Sequence, residues 1–452
     1  MANGRVLRSK TMFNGRTPSA GRPRLVAALV VLVGCNSDSQ ALPDGATASG
    51  HDAPIASGPD APIAVGKCSG SVASVSTPGP TPPSAPALTV PGDLALETLA
   101  SVGGARQLAG LPNGDLLVAT GGDSVYIVPN AEAAGLAGAP VKFTTIADDP
   151  VQGITFAAAT CTIYVASQHG VYAIAYADGQ LTGNAGSPIA HVRTGAIVPN
   201  SDGDVHVSTS VAYSGGVVYA GVGSSCNSCV EVDGTRASIQ RMDANGANMA
   251  TRATRLRNAI ALTVNPATGT LWAGGAGQDN LGLGHPYEFF DAVGSHPGVA
   301  DYGWPACEEN QQAYKTGADC SATVAPLIEL PAYSTLIGAT FYPSSPSGAY
   351  ALPATYRGGL FITAHGSWHK NATSSAYFSA PRVVFVGMNG DTPKKAVNWS
   401  DPSAQWTEVI GGFQAANGID RIARPTGIAV GAKGSLYIAD DQNGRVYRVR
   451  PK

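Results

Sequence analysis

The chain has 452 residues, of which only 13 % are charged, and its formal net charge is −3. A chain without an excess of positive charge lacks the field that a phosphate backbone requires, so nucleic-acid binding is excluded as a main function. The 56 glycines and 32 prolines favour many short strands joined by tight turns, because glycine permits positive φ and proline presets turn geometry.

Residues 1–35 are predicted to be an export signal. Six basic residues precede an apolar run from Leu25 to Val33. A helix of about ten residues rises only ~15 Å, which is too short for a hydrocarbon core of about 30 Å and is typical of a signal peptide. The run ends in Leu32-Val33-Gly34-Cys35, which resembles the lipobox of bacterial lipoproteins. This resemblance implies lipidation of Cys35; the alternative is an ordinary cleaved signal beside an unrelated cysteine.

Residues 36–90 consist largely of Ala, Pro, Ser, Gly and Asp. Few large apolar side chains occur here, so ordering this segment would bury too little surface to offset the lost conformational entropy. We predict a disordered linker between the lipid anchor and a folded domain over 91–452.

A short strand phrase recurs six times in the folded region. Each copy has a turn residue, then β-favouring residues and a small residue; the copies are 114–119, 162–166, 216–220, 269–273, 359–363 and 434–439. Spacing of this order is typical of propeller blades, which bury both faces of each sheet by radial stacking. The predicted fold is therefore all-β, a six-bladed β-propeller with four-stranded antiparallel blades. We expect the last blade to be closed by an early segment such as Leu94 to Leu99.

Six cysteines remain once Cys35 is assigned to the lipobox, and an even number is typical of disulfides in an exported protein. The local pairs Cys226/Cys229 and Cys307/Cys320 are favoured on spacing. Cys68 and Cys161 are then left over. Half a zinc site at Cys226 and Cys229 is the alternative, although no second Cys/His pair with ligand spacing accompanies it.

Several motifs occur in a specific order along the folded region. Leu256-Arg-Asn258 precedes the strand sequence 266–272, and Tyr302-Gly-Trp-Pro305, His365-Gly-Ser-Trp368 and Arg424-Pro-Thr-Gly427 follow. Together they resemble the soluble quinoprotein sugar dehydrogenases, most closely an L-sorbosone dehydrogenase-like branch, over roughly residues 95–450. The resemblance implies pyrroloquinoline quinone (PQQ) held with Ca²⁺ at one end of the propeller, and oxidation of a sugar, polyol or aldehyde.

The resemblance also implies roles for individual residues. His206 would be the general base that accepts the substrate proton, with Asp204 orienting its ring. Because PQQ carries three carboxylates, its site needs cations and polar donors. The cofactor-binding residues implied are Arg257, Asn258, Arg424, Arg421, Gln152 and Lys370.

Calcium would be held by the loop that contains Gly277 and Gln278, with Asp279 and Glu288 adding side-chain oxygens. The alternative is that this loop is an ordinary polar turn between strands and binds no metal. The family often has an acidic or amide residue just before this glycine, where the chain has Gly275-Ala276.

The predicted function is a PQQ- and Ca²⁺-dependent dehydrogenase. The chain lacks the Cys-x-x-Cys-His motif of haem c, so electrons would pass to a separate periplasmic or membrane acceptor. The lipid anchor would hold the protein on a bacterial membrane. Two alternatives stay open: a cofactor-free propeller lipoprotein that binds or scaffolds, and a Ca²⁺-dependent lactonase-like hydrolase.

Overall fold

The computed structural model describes residues 66–199, 204–282, 284–369 and 378–452. Within these ranges the chain forms six sheets arranged as the blades of a β-propeller, each with four antiparallel strands and one with a short fifth strand, which confirms the predicted fold. No helix in the described ranges is long and apolar enough to span a membrane.

The blades follow one another along the chain, each running from its inner strand outwards. Blade 1 has Ala105–Gly110, Leu116–Thr120, Ser124–Val128 and Val141–Thr145; blade 2 has Gly153–Ala157, Thr162–Ala166, Gly170–Ala175 and Ala190–His191. Blade 3 has Thr209–Ser214, Val217–Val222, Ser238–Asp243 and Ala250–Thr254, with Ala300–Asp301 added in parallel. Blade 4 has Ala259–Val264, Leu271–Gly275, Glu288–Asp291 and Ile328–Leu330. Blade 5 has Leu336–Phe341, Leu360–Ala364, Arg382–Val386 and Trp406–Ile410.

Blade 6 joins the two ends of the domain. Its strands Pro425–Val430, Leu436–Asp440 and Arg445–Pro451 come from the end of the chain. Its outermost strand is Leu94–Ser101, which pairs antiparallel with Arg445–Pro451 from Leu94/Pro451 to Ser101/Arg445. This confirms the expected closure by an early segment. The remaining regular elements are two small hairpins, Cys307–Glu308 with Gln312–Ala313 and Met388–Asn389 with Thr392–Pro393, and the 3₁₀ turns Val293–Ser295 and Ala354–Tyr356.

The six strand phrases are the second strands of the six blades, and strand periodicity explains why they are apolar throughout. In Leu116–Thr120 every residue is buried. Side chains of Leu117 and Ala119 pack into the core between blades 1 and 2, whereas Leu116 and Val118 pack between blades 6 and 1. Successive side chains of a strand point to opposite faces, so a strand with a blade on each side needs apolar residues at every position.

Residues 66–90 differ from the predicted linker. They form a strap along blades 2, 1 and 6 to the outer strand of blade 5, with Cys68 disulfide-bonded to Cys161 and backbone bridges Lys67/Ala177, Pro78/Gly138 and Thr89/Gly411. A covalent bond and backbone hydrogen bonds hold this segment, which composition alone does not reveal. The part of the predicted linker over 36–65 and the lipidation residue Cys35 lie outside the described residues.

The six cysteines in the described ranges form three disulfides, Cys68–Cys161, Cys226–Cys229 and Cys307–Cys320. The last two are the local pairs favoured on spacing. Three disulfides are typical of a protein that folds in an oxidising, extracytoplasmic compartment.

Candidate functional site

Those predicted site residues that the structure describes lie at one end of the propeller, here called the upper end. Inner strands begin there and second strands, which run antiparallel to them, finish there. Gln152, Arg257-Asn258 and Arg424 directly precede the inner strands of blades 2, 4 and 6, and His206 lies three residues before that of blade 3. Inner strands of blades 1, 4, 5 and 6 have a register irregularity close to this end, and bulges of this kind re-aim side chains beside sites.

His206 is held by Ser224, which follows the second strand of blade 3. The His206 Nδ1 atom lies 3.1 Å from the Ser224 carbonyl oxygen and 2.9 Å from Ser224 Oγ. Ser224 Oγ donates its own hydrogen to the Cys226 carbonyl oxygen at 2.7 Å, so it can only accept from the ring. Both partners of Nδ1 are acceptors, so Nδ1 carries the proton and Nε2 keeps a lone pair.

The surroundings of His206 keep its ring neutral. Burial lowers its pKa to about 3, helped by the positive charges of Arg257 and Arg193 and opposed by the Ser224 hydrogen bond and Asp204. A neutral imidazole with a fixed tautomer has the form that a general base requires.

Asp204 does not contact the His206 ring as the resemblance implied. Its carboxylate binds Arg236 at 2.8 and 3.1 Å and lies 3.4 Å from Arg193 Nη1. Burial alone would raise the pKa of Asp204, but the hydrogen bonds and charges of these two arginines outweigh it and lower the pKa. The Asp204 carboxylate binds the guanidinium of Arg236 because two parallel charged hydrogen bonds are stronger than one to a neutral ring. The His206 ring is therefore oriented by Ser224.

Arg257 is almost completely buried, and its guanidinium bonds to protein atoms. It donates to the Gly277 carbonyl at 2.6 Å, to Asp279 Oδ2 at 2.7 Å, and to Asn227 O and Oδ1 at 3.1 and 2.9 Å. Arg257 therefore organises the loops of blades 3 and 4. The neighbouring Asn258 is also buried, with Oδ1 3.4 Å from Ser208 Oγ.

The predicted calcium loop contains two buried carboxylates. Glu288 Oε2 accepts the Gly277 N–H at 2.9 Å, and the Glu308 carboxylate accepts the Gln278 N–H at 3.2 and 3.3 Å. Burial raises the pKa of Glu288 to about 8, and repulsion from Glu308 adds to this effect. Burial likewise raises the pKa of Glu308 to about 7. A small cavity of 20 Å³ is lined by both residues, and Glu308 was not predicted from the sequence.

Arg424 and Arg421 line a cavity of 480 Å³ at the start of blade 6, together with Asp441. Arg424 donates to the carbonyls of His365 and Gly366, each at 3.2 Å. Burial, and then the positive charge of Arg421, lower its pKa to about 10. Arg421 Nη2 donates to the carbonyls of Ser367 and His369, while its Nε is buried without a hydrogen-bond partner in the described part of the chain.

A buried histidine, His365, lies beside this cavity. His365 Nε2 is 3.1 Å from both oxygens of Asp441, and Asp441 also binds Arg106 at 2.6 Å. Burial lowers the pKa of His365 to about 4, although Asp441 opposes the effect. Blades 5, 6 and 1 thus contribute one connected polar group.

Trp368 connects the loop of blade 5 that carries His365 to the residues around Arg257. Its indole Nε1 donates to Asp279 Oδ1 at 3.1 Å, and Asp279 also binds Arg257 in blade 4. Gln152 also lies at the upper end, and its buried Oε1 has no partner among the described residues. Lys370 lies outside the described residues.

Sequence reasoning missed several residues that build this end of the propeller. Arg193 donates to the Ser208 carbonyl at 2.6 Å and to the Gly223 carbonyl at 3.2 Å, which holds the loop that carries His206. Asp441, which binds both Arg106 and His365, is not among the predicted site residues. An arginine in a chain with few charges could have drawn attention to Arg193. The sequence does not show, however, that it donates to the carbonyls of Ser208 and Gly223 in blade 3.

The fold and the site together define the class as a six-bladed propeller with guanidinium groups, neutral histidines and buried carboxylates gathered at one end. Cationic donors therefore lie at the same end as Arg421 Nε and Gln152 Oε1, two buried polar atoms without a partner among the described residues.

Comparison with known proteins places the fold near the sugar dehydrogenases. A family described as TrAA12-like matches residues 302–452, and no match was found among the curated proteins. The PQQ domain of pyranose dehydrogenase from Coprinopsis cinerea, in its holo form, is 18 % identical with a TM-score of 0.63, covering 82 % of this chain and 98 % of that domain.

Two further solved structures have the same architecture. The calcium structure of a family AA12 protein from Trichoderma reesei is 16 % identical with a TM-score of 0.63, covering 81 % of this chain and 98 % of that one. The apo form of soluble aldose sugar dehydrogenase from Escherichia coli is 15 % identical with a TM-score of 0.53, covering 79 % and 100 %. At these identities the similarity establishes the fold.

Proposed function

We propose that this protein is a PQQ- and Ca²⁺-dependent dehydrogenase that oxidises a sugar, polyol or aldehyde, with His206 as the general base. The observation that carries the proposal is the state of His206, which has a half-buried, neutral ring with Nδ1–H held by Ser224. It lies at the same end of the propeller as Arg421 and Arg424.

The upper end fits an anionic quinone cofactor. Arg424 and Arg421 border a cavity of 480 Å³, and the Arg421 Nε and Gln152 Oε1 atoms are buried without partners in the described ranges. An unpartnered buried polar atom is costly unless a ligand satisfies it. These residues would hold the cofactor, with Lys370 and Asn258 as further candidates. Arg257 would act through the loops it ties together.

The loop of blade 4 fits a divalent cation by the chemistry of its donors. Glu288 and Glu308 are buried together. Burial raises the pKa of each, and repulsion from Glu308 adds to the effect at Glu288, as repulsion from Glu309 does at Glu308. A hard cation such as Ca²⁺ prefers oxygen ligands and would relieve this repulsion. Glu288, Asp279 and the Gly277-Gln278 segment would supply those oxygens, with Glu308 close by.

When bound, PQQ would serve as the hydride acceptor for the carbon that carries the oxidised group. His206 Nε2 would take the proton of the substrate hydroxyl, because its lone pair is free and its Nδ1–H is already bonded. The Arg193 contacts to the carbonyls of Ser208 and Gly223 would keep the ring in position. Asp204 would act indirectly, through Arg193 and Arg236.

The proposal extends to the cellular setting. The export signal and Cys35 would place the propeller in the periplasm or at the cell surface, tethered to a bacterial membrane by lipid. Electrons would leave to a separate periplasmic or membrane acceptor.

The direct experiment titrates the purified protein with PQQ in the presence of Ca²⁺ and then measures dye reduction with a panel of aldoses. We expect a spectral change on PQQ binding and substrate-dependent dye reduction. The His206→Ala variant should retain PQQ binding and lose turnover, because only the proton acceptor is removed. Absence of PQQ binding in the wild-type protein would favour a binding or scaffold role instead.

The lactonase-like alternative finds less support in the channel. The residues that line the central channel include Gln107, Thr155 and Ser210 but no carboxylate in the described part of the chain. A hydrolase that holds Ca²⁺ at the channel centre would need carboxylates there. Lactone hydrolysis without PQQ would nevertheless reverse this preference.

A further inference from the structure

The loop over residues 224–231 lies between His206 and the Arg257 group. It is closed by the Cys226–Cys229 disulfide, which packs against Trp304 and Ala237 in a small buried cluster. Glu231 closes the loop from its far end by accepting the Ser225 N–H at 2.5 Å.

The first link from the disulfide runs to His206. The Cys226 carbonyl accepts the hydroxyl of Ser224 at 2.7 Å, and this leaves Ser224 Oγ as an acceptor for His206 Nδ1–H at 2.9 Å. The position of the Cys226 backbone therefore decides which way the Ser224 hydroxyl points. That direction, together with the Ser224 carbonyl oxygen 3.1 Å from Nδ1, favours the proton on Nδ1 rather than Nε2.

The second link runs through Asn227, which lies inside the disulfide ring. Its carbonyl accepts from Arg257 Nε at 3.1 Å and from the Trp304 indole at 3.2 Å. Its side-chain oxygen accepts from Arg257 Nη2 and from the Asp279 N–H, each at 2.9 Å. One short disulfide ring thus supports both His206 and Arg257.

The disulfide contributes less to the stability of the propeller than the other two. It spans a sequence separation of 3, against 13 for Cys307–Cys320 and 93 for Cys68–Cys161. A cross-link over so short a loop restricts the unfolded chain far less than a long one. Its structural effect is concentrated on Ser224 and Asn227.

We propose that the Cys226–Cys229 disulfide is a thiol-sensitive switch that holds His206 in its Nδ1–H form and Asn227 against Arg257. The consequence for turnover rests on the proposed role of His206 as the base. Reduction frees the ring, lets the Cys226 carbonyl and Asn227 move, and allows the His206 proton to shift to Nε2.

The redox step needs a dithiol of the thioredoxin or dithiothreitol class. Its thiolate attacks the half-buried Cys229 Sγ, beside the exposed Ser228, and the buried Cys226 sulfur leaves. The second thiol of the reductant then attacks its own sulfur in the mixed disulfide and releases Cys229. Two electrons and two protons pass from the dithiol to the pair, and the reductant becomes a disulfide.

The reduced form would persist until an oxidant acts. Cys307 and Cys320 are both buried, so their disulfide should resist the same reductant.

The test uses the full chain without PQQ or substrate, in a chelator, titrated with dithiothreitol at pH 7.5. Differential alkylation with peptide mapping identifies which cysteines are reduced, and ¹⁵N NMR of the histidine rings, assigned with His206→Gln, reports the His206 tautomer. We expect Cys226 and Cys229 to be labelled before Cys307 and Cys320, with loss of the His206 Nδ1–H signal. Trp304 emission should rise as the quenching disulfide opens, and Trp304→Phe should remove that rise.

Matched variants separate the switch from general unfolding. Cys226→Ala/Cys229→Ala should show the altered His206 tautomer without reductant, whereas Cys307→Ala/Cys320→Ala should keep the wild-type response to dithiothreitol. If the first pair does not fold, reduction of the wild-type protein decides the question alone. Earlier reduction of Cys307–Cys320, or an unchanged Nδ1–H signal in protein reduced at Cys226–Cys229, would overturn the switch. A working switch in a protein that never binds PQQ would instead refute only the dehydrogenase.

Discussion

His206 shows how burial and hydrogen bonding set the state of one side chain. An ordinary histidine has a pKa near 6.5, but burial and two nearby arginines lower that of His206 to about 3. The Ser224 contacts then choose the tautomer. The ring is a weaker base than a free imidazole, yet it is in the accepting form over the whole physiological pH range.

This environment predicts the pH dependence of the protein. Between pH 7.5 and 5, we expect no loss of kcat/KM from protonation of His206, because its lowered pKa lies below that window. An NMR titration of His206 should show no protonation step near pH 6.5. Because the unfolded chain takes up this proton below its ordinary pKa and the folded chain does not, His206 should destabilise the fold as pH falls below about 6.5. A titration midpoint near 6.5 would contradict this.

Arg424 gives a second prediction at this scale. Loss of one charged hydrogen-bonding group costs roughly 1.5–3 kcal/mol, so Arg424→Ala should weaken PQQ binding about 10- to 100-fold. Arg424→Lys should recover only part of this, because lysine keeps the charge but not the planar fork. Spectral titration measures both values. The exposed Arg241→Ala variant is the control, and an equal loss there would show a general charge effect.

Neighbouring blades are connected by polar contacts as well as by apolar cores. Asp391 follows the Met388–Asn389 strand of a small hairpin at blade 5 and accepts hydrogen bonds from blade 4. Its donors are Asn265 Nδ2 at 2.7 Å, Thr270 Oγ1 at 2.7 Å and Trp272 Nε1 at 2.9 Å. The Asp391 carboxylate therefore connects blades 4 and 5 at a point away from the residues of the upper end.

The Asp391→Ala variant should lower the free energy of unfolding by roughly 1–3 kcal/mol, because three donors lose their acceptor. Burial alone would raise the pKa of Asp391, but the hydrogen bonds from Trp272, Thr270 and Asn265 outweigh it and lower the pKa. The wild-type stabilisation is thus present above the ordinary aspartate pKa and lost as pH falls through the lowered one. Urea unfolding at pH 7 and pH 3 measures both effects; the variant of an exposed aspartate, Asp93→Ala, should match the wild type.

The strap over residues 66–90 is an element that composition alone misassigns. Its backbone reaches blade 1 through Gly79 N and Ala137 O at 2.9 Å, and Asn130 Nδ2 donates to the Ser74 carbonyl at 3.1 Å. Such contacts involve no large apolar side chain. A hydropathy pattern therefore cannot predict them. The partner atoms come close to the strap only in the folded propeller.

At the scale of the whole molecule, Cys68–Cys161 joins the strap to blade 2 over a sequence separation of 93. Closing a loop of this length in the unfolded chain is worth about 4–5 kcal/mol in the chain-entropy description, against about 2 kcal/mol for a loop of four residues.

The Cys68→Ala/Cys161→Ala variant should therefore lose several degrees in Tm, and more than Cys226→Ala/Cys229→Ala loses. Calorimetry on both pairs measures the difference. Equal losses would mean that native contacts, rather than loop closure, set the contribution of each disulfide. The residues of the upper end are intact in the Cys68/Cys161 variant, so PQQ affinity serves as its control.

The sequence alone determined the architecture, because the second strand of every blade is buried on both faces and so must carry the same apolar phrase. It also indicated where the site residues stand relative to the inner strands, since those residues directly precede strands of predictable position. The partners of those residues were decided only by the tertiary structure. Asp204 binds Arg236 and Arg193 rather than His206, Arg257 is occupied by Asn227, Gly277 and Asp279, and Glu308 joins Glu288. Such pairings depend on loops from different blades meeting at one end, and strand periodicity carries no information about contacts between side chains so far apart in the chain.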